Sequence, residues 1–106
     1  MGVRYIAVAD SHEVQEGKCI VVNAEGEAVV VCRVNRQLFA VQDLCSHDDG
    51  PLGDGFLDGF EIECPRHGAR FDVRDGAVKR MPAAAPIRTY PLKTENGKIL
   101  IGLDDD

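Results

Sequence analysis

A chain of 106 residues with 44% hydrophobic content has the size and composition of one folded domain. Its net charge of −6 argues against nucleic acid as a partner, because nucleic-acid binders present basic surfaces. No apolar run approaches the roughly 20 residues of a membrane span, and the N-terminus lacks the layout of a signal peptide. We therefore expect a single domain, 1–106, that is cytoplasmic, monomeric and not bound to a membrane.

Short β-type runs separated by turn residues fill the first part of the chain. The runs are 5–9, 18–22, 27–34 and 38–42. Asp10 or Ser11 could cap one short helical turn after the first run. Runs of this length, with turns every eight to twelve residues, are typical of an antiparallel sandwich or small barrel.

This period stops at residues 43–59, which are rich in Gly and Asp and are interpreted as a functional loop rather than a strand. Further short strands are expected afterwards, over 60–63, 69–73 and 77–79. Residues 81–86 contain two prolines and predict a stiff linker. The alternating run 87–94 predicts a strand, and Asn96-Gly97 is the strongest hairpin signal of the chain, leading into a last strand over 98–103. The predicted fold class is all-β, an antiparallel β-sandwich or small barrel with an insert of two loops over about 43–81.

Two short segments within the insert each combine one Cys with one His. The first clamp is Cys45-Ser46-His47 and the second clamp is Cys64-Pro65-Arg66-His67. Thiolates and neutral imidazoles are common ligands of iron and zinc. Two Cys and two His suit either a tetrahedral zinc ion or a [2Fe–2S] cluster in which two His replace two Cys on one iron.

The clamps and the run that follows them resemble the Rieske [2Fe–2S] domain. The run Cys64-Pro65-Arg66-His67-Gly68-Ala69-Arg70-Phe71-Asp72 is similar to the small Rieske-type ferredoxins of bacterial ring-hydroxylating dioxygenase systems. The resemblance implies one cluster per chain, with Cys45 and Cys64 on one iron and His47 and His67 on the other. It also implies that residues 81–86 cover the cluster. The implied partners are a reductase, dependent on a flavin and NAD(P)H, and a terminal oxygenase or another acceptor protein.

Four positions around the clamps predict a cluster of low reduction potential. High-potential Rieske proteins carry a disulfide between the two loops, and here those positions are Gly50 and Arg66. They also place Ser and Tyr hydroxyls near the sulfurs, at positions that are here Ala69 and Phe71. Fewer donors to sulfur destabilise the reduced, more negative state.

The remaining residues do not provide a catalytic centre. Of three His, two belong to the clamps, and His12 alone cannot build the mononuclear iron site of an oxygenase. No G-x-G-x-x-G dinucleotide fingerprint follows a strand. We therefore predict an electron carrier rather than an enzyme. Two alternatives are a Rieske subunit of the nitrite reductase small-subunit type and a redox or regulatory protein linked to iron–sulfur assembly.

Electron transfer requires a docking surface near the cluster. We expect the imidazole edges of His47 and His67 at the loop tips, surrounded by apolar side chains. The candidates are Leu52, Phe56, Pro65 and Pro82. A small and weak interface is typical of such encounters.

The two remaining cysteines, Cys19 and Cys32, lie in β-branched runs without a nearby His. We interpret both as buried core residues, with a redox role as the alternative.

Overall fold

The computed structural model describes residues 2–45, 50–53, 55–65, 68–81 and 85–104. Over these residues it contains eleven strands and one 3-10 turn, Ser11–Glu13. The strands are β1 Val3–Asp10, β2 Cys19–Ala24, β3 Glu27–Val34, β4 Gln37–Gln42, β5 Phe56–Asp58, β6 Glu61–Glu63, β7 Arg70–Asp72, β8 Val78–Arg80, β9 Thr89–Tyr90, β10 Leu92–Glu95 and β11 Lys98–Asp104. The all-β prediction is confirmed. No helix in the described part of the chain is long and apolar enough to cross a membrane.

The strands form three antiparallel sheets. The first sheet has the order β1-β11-β10, the second β2-β3-β4-β9, and the third β5-β6-β7-β8. The third sheet lies between β4 and β9 in the sequence, so we call it the insert sheet. It lies within the insert that the sequence predicts, and the second clamp begins directly after its strand β6.

Strand β3 is the centre of the packing, because its two faces lie in different cores. Val29 and Val31 pack with residues of the first sheet, such as Ile101. Val30 and Cys32 point to the other side and belong to the core shared with the insert. A strand buried on both faces has a nearly continuous hydrophobic sequence, and the run Ala28-Val29-Val30-Val31-Cys32 fits this rule.

Three hairpins of the described chain are closed by two-residue turns in which both central residues have positive φ. These are Glu25 and Gly26, at 52° and 92°, Asn35 and Arg36, at 51° and 67°, and Asn96 and Gly97, at 52° and 77°. Such type I′ turns match the twist of the flanking strands and favour Asn-Gly. The Asn96-Gly97 prediction is therefore confirmed, whereas Glu25 is an unusual residue for its position.

One sequence prediction for the insert is wrong. Residues 43–59 are expected as a loop throughout, but they contain strand β5, which pairs with β6 in register Phe56↔Glu63. Strand β5 has only three residues, Phe56-Leu57-Asp58, and it is flanked by Gly55 and Gly59. A run of this length is too short to show a period of two, so the sequence pattern does not reveal it.

The predicted single strand 87–94 is also wrong. It is divided at Pro91 into β9, which belongs to the second sheet, and β10, which belongs to the first. Proline has no N–H to donate to a ladder, so the strand pairing is interrupted there and the chain changes sheets. The other predicted strands are present, with ends that differ by at most two residues.

Candidate metal centre

One end of the insert sheet gathers the segments that carry the second clamp. Four residues in register, one from each strand, form a row across that end: Phe56, Glu63, Arg70 and Arg80. Cys64 follows Glu63 directly, and Ala69 precedes Arg70. The second loop, residues 64–69, therefore leaves and re-enters the sheet at the same end.

Each predicted clamp begins at the base of a loop that is closed by backbone hydrogen bonds. The Cys64 N–H donates to the carbonyl of Ala69 at 2.7 Å, and the Gly68 N–H donates back to the Cys64 carbonyl at 3.1 Å. Gly68 has a φ of 76°, which glycine adopts without strain. In the first loop, residues 43–55, the Cys45 N–H donates to the Gly50 carbonyl at 2.8 Å. The two cysteines thus occupy equivalent places in two loops.

The structure brings both predicted cysteine ligands into one core. Cys45 is 0% and Cys64 is 1% exposed, and neither forms a disulfide. They share this core with Leu52, Ile62 and Phe71, among others. The predicted ligands His47 and His67 lie outside the described residues, as do Arg66 and the segment 82–84 of the predicted cover.

The first loop is held by a carboxylate that the sequence analysis did not identify. One oxygen of Asp43, Oδ1, accepts the N–H groups of Leu52 and Gly53, both at 2.7 Å. Leu52 is 0% exposed, so the prediction that it lies on a docking surface is wrong. Its backbone is fixed by Asp43 and its side chain fills the core below the loop. An Asp before a Gly-rich segment is the only signal that could have indicated this contact.

Gly55 lets the backbone of the first loop lie against the end of β6, where the second loop begins. A methyl group at this position would lie 2.0 Å from the Glu63 carbonyl oxygen and 2.9 Å from that of Leu52. Both neighbours are backbone atoms and cannot rotate away. Glu63 directly precedes Cys64, so this contact sets the distance between the first loop and the start of the second clamp.

Arg70 ties three strands of the insert sheet together. Its guanidinium contacts Glu63 at 2.8 Å, Asp58 at 3.0 Å and Glu61 at 3.3 Å. The hydrogen bonds to Glu63 and Asp58 raise the pKa of Arg70, so the charge is permanent. Its side chain is only 16% exposed, which makes these contacts stronger than an ordinary surface ion pair.

Asp72 and Arg74 connect the insert to the second sheet. Asp72 is 3% exposed, and it accepts hydrogen bonds from the Arg74 Nη2 at 2.7 Å and Nε at 3.0 Å. These bonds lower the pKa of Asp72. The same guanidinium lies 4.0 Å from the centre of the Phe60 ring, and Phe60 packs edge-on against Phe39 of β4. The sequence pattern does not reveal this chain of contacts, because its link to the second sheet joins Phe39 and Phe60, which lie on strands or turns far apart in the sequence.

The donor set fits a cationic metal group. Two thiolates buried to this extent would be very costly without a compensating positive charge. Each lies at the base of a closed loop, and the sequence places one His two or three residues further along. These features suit the two-Cys, two-His set of a Rieske cluster.

Comparison with known proteins agrees with this chemistry. The family of the Rieske [2Fe–2S] domain matches residues 4–91. The ferredoxin component of the naphthalene 1,2-dioxygenase system of Pseudomonas putida is 37% identical over 103 residues, covering 97% of this chain and 99% of that protein.

Two solved structures have the same fold. The ferredoxin of Sphingomonas yanoikuyae B1 superposes with a TM-score of 0.89 at 35% identity, covering 95% of this chain and 100% of that chain. A chain in the complex of reduced oxygenase and oxidised ferredoxin of carbazole 1,9a-dioxygenase matches with a TM-score of 0.86 at 32% identity, covering 92% of this chain and 91% of that chain. The protein therefore belongs to the Rieske [2Fe–2S] domain family: it is an electron carrier of the ferredoxin type, and its cofactor is a [2Fe–2S] cluster.

Proposed function

We propose that this protein carries single electrons in the cytoplasm from a flavin- and NAD(P)H-dependent reductase to a terminal oxygenase that hydroxylates an aromatic ring. The support is the likeness, over nearly the whole chain, to ferredoxin components of dioxygenase systems and to a ferredoxin bound to its oxygenase. We also infer that residues 1–106 form one domain, with a cluster-binding insert over about 43–81.

Cys45 and Cys64 hold one iron of the cluster, and His47 and His67 hold the other. The observation that carries this assignment is the pair of buried thiols at the bases of two adjoining closed loops. When bound, the cluster accepts and releases one electron. The protein supplies the buried core around Cys45 and Cys64, which limits the access of water to the two thiolates.

The cluster has a low potential, near the lower end of the Rieske range at roughly −150 mV. Ala69 and Phe71 are both 0% exposed beside the second clamp, and neither has a hydroxyl to donate to sulfur. The reduced state therefore gains less hydrogen-bond stabilisation than in high-potential relatives. Gly50 also cannot contribute to a disulfide between the loops.

The docking surface lies at the clamp end of the insert sheet. Phe56 begins edge strand β5 and Met81 follows edge strand β8, and these side chains are 61% and 80% exposed. Pro65, in the second clamp, lies between Phe56 and Met81 in the sequence and is also exposed to solvent. Exposed apolar side chains around a metal centre provide the small interface that electron-transfer partners use.

The assignment of the ligands is tested with the purified, loaded protein. We expect about two irons and two sulfides per chain, a Rieske-type visible and EPR spectrum, and a midpoint near roughly −150 mV. The variant Cys64→Ser should lose the iron and the spectrum. The matched control Cys19→Ser, which changes a cysteine outside both clamps, should keep them.

Three outcomes would contradict the proposal. A colourless protein that contains zinc would exclude the cluster. Retention of the spectrum by Cys64→Ser would exclude Cys64 as a ligand. A midpoint potential in the high-potential part of the range would show that the missing hydroxyls at Ala69 and Phe71 do not lower the potential.

A further inference from the structure

The two cysteines outside the clamps lie directly opposite one another. Strands β2 and β3 pair in the register Cys19↔Cys32, and the two Sγ atoms are 2.8 Å apart. Neither residue is in a disulfide. In the sequence they are predicted as two separate core residues, and only the register of the hairpin brings them together.

The local backbone places this pair at a position that can accept a disulfide. The Gly17 N–H donates to the Arg33 carbonyl at 2.8 Å, and the Arg33 N–H donates to the Lys18 carbonyl at 3.1 Å. With a φ of 76° at Gly17, this is a glycine bulge in which Lys18 and Arg33 are the hydrogen-bonded pair. The next pair, Cys19 and Cys32, is therefore a non-hydrogen-bonded pair.

Side chains of such pairs are close to each other. Their Cα atoms are about 4.5 Å apart, within the range of 4.4–6.8 Å that disulfides use. Formation of the S–S bond, at about 2.05 Å, needs the sulfurs of Cys19 and Cys32 to approach by only about 0.8 Å. The backbone of the hairpin can stay in place.

Only one of the two thiols is accessible. Cys19 is half-buried and lines a groove of about 260 Å³ with Lys18, Gly53 and Phe56, among others. Cys32 is 0% exposed behind it. The contact between the two thiols lowers the pKa of Cys19, whereas the same contact and burial raise the pKa of Cys32. Cys19 is thus the attacking thiol and Cys32 the resolving one.

We propose that Cys19 and Cys32 form a reversible dithiol–disulfide site, made of cysteines other than the predicted cluster ligands, that is oxidised by hydrogen peroxide. The Cys19 thiolate attacks a peroxide oxygen, the O–O bond breaks, and one water leaves after protonation. Cys19 is then a sulfenic acid. The Cys32 sulfur attacks the Cys19 sulfur, the S–S bond forms, and the sulfenic hydroxyl leaves with the Cys32 proton as a second water. In total, two thiols lose two electrons and one peroxide is reduced to two waters; a dithiol reductant restores the thiols.

Trypsin offers a direct test, because Lys18 and Arg33 flank the pair. The peptide 19–33 contains Cys19 and Cys32, whereas Cys45 and Cys64 lie in the peptide 37–66. The loaded protein is treated with hydrogen peroxide, denatured in N-ethylmaleimide and digested. We expect peptide 19–33 to lose two hydrogens in mass and its labelling to fall at least tenfold. If the oxidised protein is treated with dithiothreitol before labelling, N-ethylmaleimide should again label both Cys19 and Cys32.

Two variants test the order of the steps. In Cys32→Ser, Cys19 should remain a sulfenic acid that dimedone traps, and in Cys19→Ser, the buried Cys32 should keep its thiol. The proposal is overturned if peptide 19–33 still takes two labels when half of the cluster absorbance is lost. It is overturned equally if Cys32 oxidises as readily in Cys19→Ser as in the unaltered protein.

Discussion

Gly55 is the residue where the first loop lies against the end of β6, directly before the second loop. The space for a side chain at this position is occupied by the carbonyl oxygens of Glu63 and Leu52. Because both are backbone atoms, a larger residue can be admitted only if the loops separate. The proposed ligands Cys45 and Cys64 lie on separate loops and can hold one iron only at a narrow range of distances, so we expect the residue at position 55 to affect metal binding.

The variant Gly55→Ala is therefore expected to lower the iron content per chain several-fold. It should also destabilise the protein by roughly 1–3 kcal/mol, as overpacking does. Iron analysis and the visible spectrum measure the first effect, and urea unfolding measures the second.

Gly59→Ala is the matched control for this change. Gly59 has a φ of 59° and no atom within 4 Å of an added methyl group. Alanine there should cost about 1–2 kcal/mol of backbone strain and leave the iron content unchanged. Equal iron content in the two variants would show that the approach of the loops is not needed for the cluster.

At the scale of elements, the turn after β7 links the insert to the second sheet. Asp72 is the buried member of its ion pair with Arg74, and the same guanidinium packs on Phe60. Hydrogen bonds from Arg74 lower the pKa of Asp72 in the folded state. The stability that this pair contributes is therefore fully present above the unfolded pKa of about 3.9 and is lost as the pH falls through the lower folded pKa.

The variant Asp72→Asn should unfold more easily at pH 7, by about 1–3 kcal/mol, because a charged hydrogen-bond acceptor is lost. The difference in the free energy of unfolding between this variant and the unaltered protein should stay constant between pH 7 and about pH 5. It should decrease below about pH 4. Urea unfolding followed by circular dichroism at each pH provides the measurement.

The control for this variant is Asp104→Asn, which removes an exposed carboxylate 3.4 Å from Arg88. Exposed pairs contribute little, so its effect should remain below about 1 kcal/mol. If Asp72→Asn were as mild as this control at pH 7, the Asp72–Arg74 contact would not contribute to stability as a buried ion pair.

At the scale of the whole molecule, net charge and exposed apolar side chains contribute to partner binding in two different ways. A net charge of −6 attracts a basic patch on a partner over a distance that salt shortens. The apolar contacts at Phe56 and Met81 do not depend on salt in this way. Changes in salt concentration therefore test the electrostatic attraction of the partner, and substitution of apolar side chains tests the docking contacts.

We expect the rate of electron transfer from a dioxygenase-system reductase, measured by stopped flow, to fall as ionic strength rises. Phe56→Ser should slow the transfer several-fold at every salt concentration without changing the spectrum. The control Val3→Ser alters a side chain that is 47% exposed on the first sheet, away from the clamps, and should have no effect. A flat salt profile would argue against steering, and equal rates for Phe56→Ser and Val3→Ser would argue against the docking surface.

The sequence alone determined the family, the all-β class and three strands of the second sheet, β2, β3 and β4. Two ligands of one cluster that lie two or three residues apart can be recognised from their spacing, because such a short segment can turn onto the cluster without help from distant parts of the chain. Strand β3 and the Asn96-Gly97 turn were equally local, since a continuous run of β-branched residues and the tolerance for positive φ belong to the residues themselves. The predicted ligands His47 and His67 remain predictions.

Only the tertiary structure showed which distant residues meet. The Cys19–Cys32 pair depends on the register that the Glu25-Gly26 turn imposes, and Glu is a poor signal for a positive φ. Strand β5, the burial of Leu52 and the change of sheet at Pro91 likewise depend on partners elsewhere in the chain. A sequence pattern reflects the conformational preferences of residues that are close in the chain. Register, burial and the contact at Gly55 are instead set by packing between segments far apart in the chain.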